Sequence, residues 1–329
     1  MEERVRKLLN DALSSLSELP SPGVIDRLAR DLAPLHDQAK ASGCMQAFKA
    51  TCQAHQLAQI ILEDPYSRRA FEKPRGYAGD AVMLDYIYRK HHLDTSPLGR
   101  AIHAATTTLP NAKSVLWRRD YLASMICSLM RTRPVVRILA VASGHMRELD
   151  TVKKFSQLRN VEIVALDQDR KALEEAHGCY PEFAITSINM SAFSPFKKAL
   201  PLSEKFDFVY SAGLSDYLSD KAFEYLMRKL LGYVKPDGFL SVGNFTTDNH
   251  GRAFMEGFMD WSLVCRDEAD LLRVAKRACS FPAEFKVFRD EMRSVAYIEV
   301  RPQEMPIHRL SSTPETPMEI AIHSASYMQ

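Results

Sequence analysis

The hydrophobic rhythm of the chain changes once, near residue 136. Before it, apolar residues recur at turn spacing: Val24, Leu28, Leu32 and Leu35, then the run "TCQAHQLAQIILED" in the same style. That spacing predicts amphipathic helices and little strand. Between them lies "EKPRGYAGDAVMLDYIYRKHH", a Pro-Arg-Gly turn followed by a helix with Val82, Met83, Tyr86 and Ile87 on one side. Asp80 stands at its N-cap position, where a carboxylate accepts from the first free backbone N–H groups. The strongest helix is "NAKSVLWRRDYLASMICSLM", with Val115, Leu122, Met125, Ile126 and Leu129 as the buried stripe and Pro134 closing it.

From Val136 short apolar, β-branched runs alternate with helices: "VRILAVA", "VEIVALD", "FAITSIN", "FDFVYSAG", "FLSVGNF", "FKVFRDE" and "VAYIEVR". Strand and helix repeated this way predict an α/β fold with a mainly parallel, seven-stranded sheet covered on both faces. The expected organisation is a helical domain over residues 1–112, an α/β domain over 113–302 and a tail over 303–329. The tail carries Pro306, Pro314 and Pro317 among polar residues and reads either as a flexible end or as an extended strap.

Composition narrows the partners. The 329 residues are 46% hydrophobic and 26% charged, enough for a substantial core, and a net charge of +2 gives no case for nucleic acid. No apolar run approaches the roughly 20 residues that span a bilayer. The start, "MEERVRKLLNDALSSL", is charged and amphipathic, unlike a secretory signal. The six cysteines include no CxxC pair, which fits reduced thiols and no metal site. The expectation is a cytoplasmic monomer or homodimer that acts on a small molecule, with neither membrane nor nucleic acid as partner.

In an open parallel sheet, ligands collect beyond the carboxyl ends of the strands, where strand order reverses. Read as a set, those ends carry the candidate chemistry. The first ends in Ala142, Ser143, Gly144 and His145, with Gly144 permitting a tight turn and close backbone approach. The second ends in Asp167, about twenty residues on, where an acid takes ribose hydroxyls. The third leads to Asn189 and Met190, an amide for an adenine edge and a thioether for its face. The fourth ends in Ser211, Ala212 and Gly213, small enough to admit a ligand, with Asp216 and Tyr217 on the turn that follows. In the fifth, Pro236-Asp237-Gly238 is expected to form a tight turn into the strand, which ends at Asn244 and Phe245.

This constellation resembles the class I S-adenosylmethionine (SAM)-dependent methyltransferases, over roughly residues 113–302. The resemblance implies a Rossmann-like fold and SAM as cofactor. Gly144 matches the middle glycine of the family's acidic-x-Gly-x-Gly-x-Gly turn. Ala140, Ala142 and Met146 stand where the acid and the outer glycines would be. Asp167 matches the ribose acid, with Gln168 beside it, and Asn189 and Met190 the adenine pair. "RGYAGD", "YSAGLSDYL", "GNF" and the set Asp260, Trp261 and Arg266 are similar to bacterial methyltransferases with a helical N-terminal domain, among them those linked to hydroxy-fatty-acid methyl ester signals. A related possibility within the resemblance is the azetidine-2-carboxylate synthases, which cyclise SAM and release methylthioadenosine.

SAM is a sulfonium cation, and the protein's work is to hold an attacking atom in line and exclude water. Aromatic faces stabilise such a cation by about 0.5–2 kcal/mol. Tyr77, Trp117, Tyr217, Phe245 and Trp261 are the aromatic pocket candidates, and Tyr77 and Asp80 are expected to close over the cofactor as a lid. Tyr77, Ser211 and Asn244 are the residues expected at the reacting centre, with Ser143 helping to hold a folded SAM if the reaction is cyclisation. No single His, Asp or Glu stands out as an obligatory base. Methyl transfer to a small acceptor is favoured, a SAM cyclase or lyase comes second, and a non-catalytic SAM-fold binding protein third.

Overall fold

The computed structural model describes residues 1–18, 21–89, 93–154, 161–191 and 204–303. Eight helices come first: α1 (Glu2–Glu18), α2 (Pro22–Ala41), α3 (Met45–Gln53), α4 (Gln56–Ile61), α5 (Pro65–Glu72), α6 (Ala81–Tyr88), α7 (Pro97–Thr106) and α8 (Pro110–Thr132). Their starts follow local rules. Proline opens α2, α5, α7 and α8, where its missing N–H costs nothing. Asp64 caps α5 through the amides of Tyr66 and Ser67, and Asp80 caps α6 by accepting from Met83 N at 2.8 Å.

The remainder alternates as the sequence pattern predicts: β1 (Val136–Val141), α9 (Leu149–Val152), β2 (Val161–Asp167), α10 (Arg170–Cys179), β3 (Ala184–Asn189), β4 (Phe206–Ser211), α11 (Asp220–Leu231), β5 (Val234–Phe245), α12 (Arg252–Phe258), α13 (Glu268–Ala278), β6 (Ala283–Arg289) and β7 (Val295–Pro302). The seven strands form one sheet in the order β3-β2-β1-β4-β5-β7-β6, with β7 antiparallel to both neighbours. This is a Rossmann-like, mainly parallel architecture, and the order reverses between β1 and β4.

Pro236-Asp237-Gly238 differs from expectation. The segment lies within β5, not before it, and forms a bulge: Phe206 pairs with Val234, yet Phe208 pairs with Phe239. Glycine is required there because a Cβ on Gly238 would lie 2.8 Å from the carbonyl oxygens of Phe206 and Asp207.

Three cores divide the molecule. One sheet face packs on α8, α9 and α10 through Val115, Ile126, Leu149 and Leu173, and the other on α11 and α13 through Phe223, Leu226 and Leu271. The expected border at residue 112 therefore falls inside α8, whose body belongs to the sheet layer. The third core joins α1 to α7 with α12, which places Phe254 and Phe258 beside Phe48 and Ile25 although they follow β5 in the chain. The expected tail lies, beyond Gln303, outside the described residues. Among the described residues no helix is long and apolar enough to cross a membrane.

A buried ion pair joins the helical part to the sheet. Asp85 of α6 accepts from Arg147 Nε at 2.7 Å and Nη2 at 2.6 Å, and from His145 Nδ1 at 2.8 Å. Arg147 is 2% exposed. Burial raises the proton affinity of Asp85, but the bonds from Arg147 and His145 outweigh it and hold the carboxyl well below the usual range. Removing one member of such a pair leaves the other charge buried, at about 3–5 kcal/mol. Asp85→Ala is therefore expected to lower unfolding free energy by about that amount at pH 7 in a urea titration. Because the folded carboxyl is depressed, the contribution is complete above about pH 5 and fades as pH falls below about 4, so the gap between wild type and variant narrows in acid.

Candidate functional site

A cavity of about 300 Å³ opens at the carboxyl ends of β1, β2 and β4. Its floor is the segment after β1, the end of β2 and the turn after β4. Its roof is the "RGYAGD" turn with α6 and α8.

The floor keeps the shape of a glycine turn with one glycine. Ala142, Gly144 and Met146 all have positive φ, at 53°, 56° and 54°. A left-handed non-glycine residue costs roughly 1–2 kcal/mol, so tertiary contacts must hold the loop. They are visible: Ser143 N donates to Leu166 O at 3.2 Å, Met146 is buried in the sheet core, and Gly144 N donates to Asp167 Oδ2 at 2.8 Å. The Gly144 amide is thus already bonded within the protein. A Cβ on Gly144 would come within 3.4 Å of Ala81 in the roof.

Asp167 lines the cavity and is buried, with Oδ1 accepting from Asp169 N at 2.8 Å. Burial raises its proton affinity, and the amides of Asp169 and Gly144 work against that rise. Tyr77 lies over this end, its hydroxyl pushed up by burial and by the charges of Asp167 and Asp169. It is a proton-holding donor, not a base. Arg75 pairs with Asp169 and fixes the turn above β2. Gly79 is there because no side chain fits: a Cβ would meet Tyr217 Oη at 2.7 Å and Trp261 at 3.0 Å. Trp261 Nε1 donates to Tyr217 Oη at 2.8 Å, so the Tyr217 hydroxyl is tucked under the roof while the residue as a whole remains 41% exposed.

Of the expected site residues, Ala142, Ser143, Gly144, His145, Asp167, Gln168, Ala212, Gly213, Tyr77, Tyr217, Phe245 and Trp261 line this cavity. Six do not. The Asn189 amide turns away and donates to the carbonyls of Asp167 and Gln168. Met190 packs against the opposite sheet core. Ser211 is fully buried, with no partner for Oγ among the described residues. Asn244 donates to the carbonyls of Phe245 and Val264 and accepts from Arg266, a structural knot behind the wall. Trp117 stacks on Tyr121 with centroids 5.3 Å apart and planes at 7°. Asp80 lies behind the wall, its Oδ1 committed to the α6 cap and to Arg69 at 2.8 Å and its Oδ2 buried without a partner among the described residues. Ser211 and Asn244 therefore do not touch the cavity, and of the three residues expected at the reacting centre Tyr77 alone does.

Arg118, Glu148 and Asp216 add charge to the cavity wall. Arg118 of α8 is buried and donates to Ala212 O at 2.7 Å and Tyr88 Oη at 3.2 Å, two bonds against five N–H groups. Glu148 accepts from the buried Tyr210 hydroxyl, and burial raises its proton affinity. Asp216 accepts from Phe245 N at 2.7 Å, and burial pushes its carboxyl up to about 7 against the opposing pull of Phe245 N, Arg118 and Arg266. Arg118 was legible in principle: it lies three residues after Val115 and four before Leu122, a charge on the buried stripe. Asp85, His145 and Glu175 also sit close enough to hold a cation, but the Arg147 guanidinium already bonds to Asp85 and Glu175.

No protein-family model matches the sequence, and no curated protein matches it. Among solved structures, the chain is similar to a possible exported protein from Bordetella parapertussis, at 20% identity and a TM-score of 0.58, over 79% of this chain and 97% of that one. It is also similar to magnesium protoporphyrin IX methyltransferase from Synechocystis with bound SAM, at 10% identity and a TM-score of 0.44, over 67% and 89%. At 20% identity the likeness to the Bordetella protein is one of fold.

Asp216 makes a stability prediction. Its folded value of about 7 stands above the unfolded one near 3.9, so its stabilising share is whole below about pH 4 and lost as pH rises to about 7. Asp216→Asn is expected to gain stability over wild type by up to about 4 kcal/mol at pH 8 relative to pH 4, read by urea unfolding at both values.

Proposed function

We propose that the chain is a SAM-dependent methyltransferase acting on a small-molecule acceptor. The observation that carries this reading is the union, in one cavity, of a glycine-type turn after β1 with the Asp167 carboxylate that holds it. The residues fit the group. Asp167 and Gln168 stand at the end of β2, where a ribose binds in such folds. Arg118, with donors to spare, suits a carboxylate, and Glu148 suits an ammonium, so the two match a zwitterionic amino-acid end. Tyr77, Phe245 and Trp261 supply aromatic walls for a sulfonium.

When bound, SAM supplies a methyl group already activated by the sulfonium. The protein's own tasks are then orientation and exclusion of water. Asp167 orients the ribose, Arg118 and Glu148 fix the amino-acid end, and the roof formed by the Tyr77 turn, α6 and α8 keeps solvent out.

Saturating SAM is expected to raise the melting temperature, since a ligand at 100 times its Kd adds about 2.7 kcal/mol. Arg118→Met is expected to weaken SAM and S-adenosylhomocysteine by about 10–100-fold, the loss of a charged hydrogen bond, and to leave methylthioadenosine, which lacks the amino-acid end, unchanged. Absence of any shift with SAM would overturn the reading. So would methylthioadenosine released from SAM with no acceptor added, because that product belongs to cyclisation.

A further inference from the structure

The turn after β4 builds a feature that the binding of SAM does not require. Gly213 forms its floor: a Cβ there would stand 3.0 Å from Arg118 Nη1 and 3.9 Å from Asp216 Oδ2. The missing side chain keeps open a space into which a guanidinium and a carboxylate both reach. Asp216 Oδ1 is committed to Phe245 N, which fixes the carboxyl plane. The hydrogen bond of the Asp216 side chain uses Oδ1, Oδ2 makes none among the described residues, and Asp216 lines the cavity. The backbone of Asp216 is anchored as well, its carbonyl accepting from Val264 N at 2.7 Å. A rigidly held carboxyl in a cavity wall, with its second oxygen beside Gly213, is built to take or give a proton.

We propose that Asp216 is the proton acceptor of the reaction, and that the methylated group is a proton-bearing oxygen or nitrogen, a hydroxyl or an amine. This rests on the methyltransferase reading above. A carboxylate acceptor has no proton to lose and would meet a negative neighbour in Asp216. A hydroxyl sheds its proton as the new bond forms, and a neutral amine sheds one from the nitrogen once it is methylated. The acceptor's lone pair forms the bond to the methyl carbon, the carbon–sulfur bond breaks with its electron pair returning to sulfur, and the acceptor's proton passes to Asp216 Oδ2. Water then removes that proton on product release.

The surroundings tune the carboxyl toward this task. The charged and titratable groups facing it are Arg118 from α8, Arg266 and Cys265 from the segment before α13, and Tyr217 on its own turn. Burial raises its proton affinity, and the two arginines restrain the rise, which leaves the carboxyl near 7. A base poised near the working pH has the best product of availability and driving force.

The test uses the full chain, methyl-labelled SAM and a panel of phenols, alcohols, amines and matched carboxylic acids, assayed from pH 5.5 to 9. Transfer is expected to a hydroxyl or amine, with a rate that climbs through about pH 7 in wild type. Asp216→Asn should lose about 100-fold or more and the climb with it, while its thermal shift with S-adenosylhomocysteine stays at the wild-type value. Asp216→Glu, which keeps the carboxyl, should recover part of the rate and guards against a folding defect. A second readout needs no turnover: carbon-13 NMR of aspartate carboxyls, with S-adenosylhomocysteine bound, should show one signal titrating near neutrality that is missing in Asp216→Asn. Methylation confined to carboxylic acids overturns the proposal, as does an Asp216→Asn enzyme with the wild-type rate and pH profile. If no panel member is methylated the titration decides, and absence of the near-neutral signal overturns it. A wild type that binds neither SAM nor S-adenosylhomocysteine would instead sink the methyltransferase reading.

Discussion

Asp85 of α6 holds Arg147 and His145 of the loop after β1, and the site is shaped by that grip. Both residues belong to the loop after β1, and Met146 between them has positive φ. A loop with two strained non-glycine residues relaxes unless its side chains are fixed from outside. The floor of the cavity is therefore held in place by the helical roof. Each half supplies what the other needs, and the cavity exists only where they meet.

The same meeting of roof and floor sets the electrostatics. Between roof and floor, Asp167, Glu148 and Asp216 are all buried, and burial raises the proton affinity of each. Carboxyls withdrawn from water carry a penalty unless partnered, and the partners differ. Asp167 is answered by two backbone amides, Glu148 by a tyrosine hydroxyl and Asp216 by one amide. Asp85 alone meets a bidentate guanidinium, and it alone of the four is driven down. One region thus contains a carboxyl held down and three pushed up, distinguished by their immediate donors.

The alternation of apolar runs made the sheet and its order of elements legible, since period and length are local properties. Gly144 and Asp167 were legible as well, because strand ends can be counted. The adenine pair was not: Asn189 satisfies backbone carbonyls, a choice made by geometry across β2 and β3 that spacing does not encode. Ser211 and Asn244 sit at the correct strand ends, yet a strand end has two sides and their side chains meet protein. Asp216 escaped notice as a base because its chemistry arises from burial by α8 and by the segment before α13, remote in sequence. Arg118 had a local sign, its place on the stripe of α8, that composition alone conceals.

The placement of α12 bears on how the molecule assembles. Phe254 and Phe258 complete the core shared by α1, α2 and α3, and Gly257 lies so close that a Cβ would be 3.0 Å from Cys52 Sγ. During synthesis the first helices leave the ribosome long before this plug exists, with Phe48 and Ile25 lacking their final cover. A chain emerging at about 5–20 residues per second leaves those apolar faces open for some ten seconds or more, a window in which chaperones or aggregation compete. The amino-terminal half is thus a socket that waits for the carboxyl-terminal half to be made.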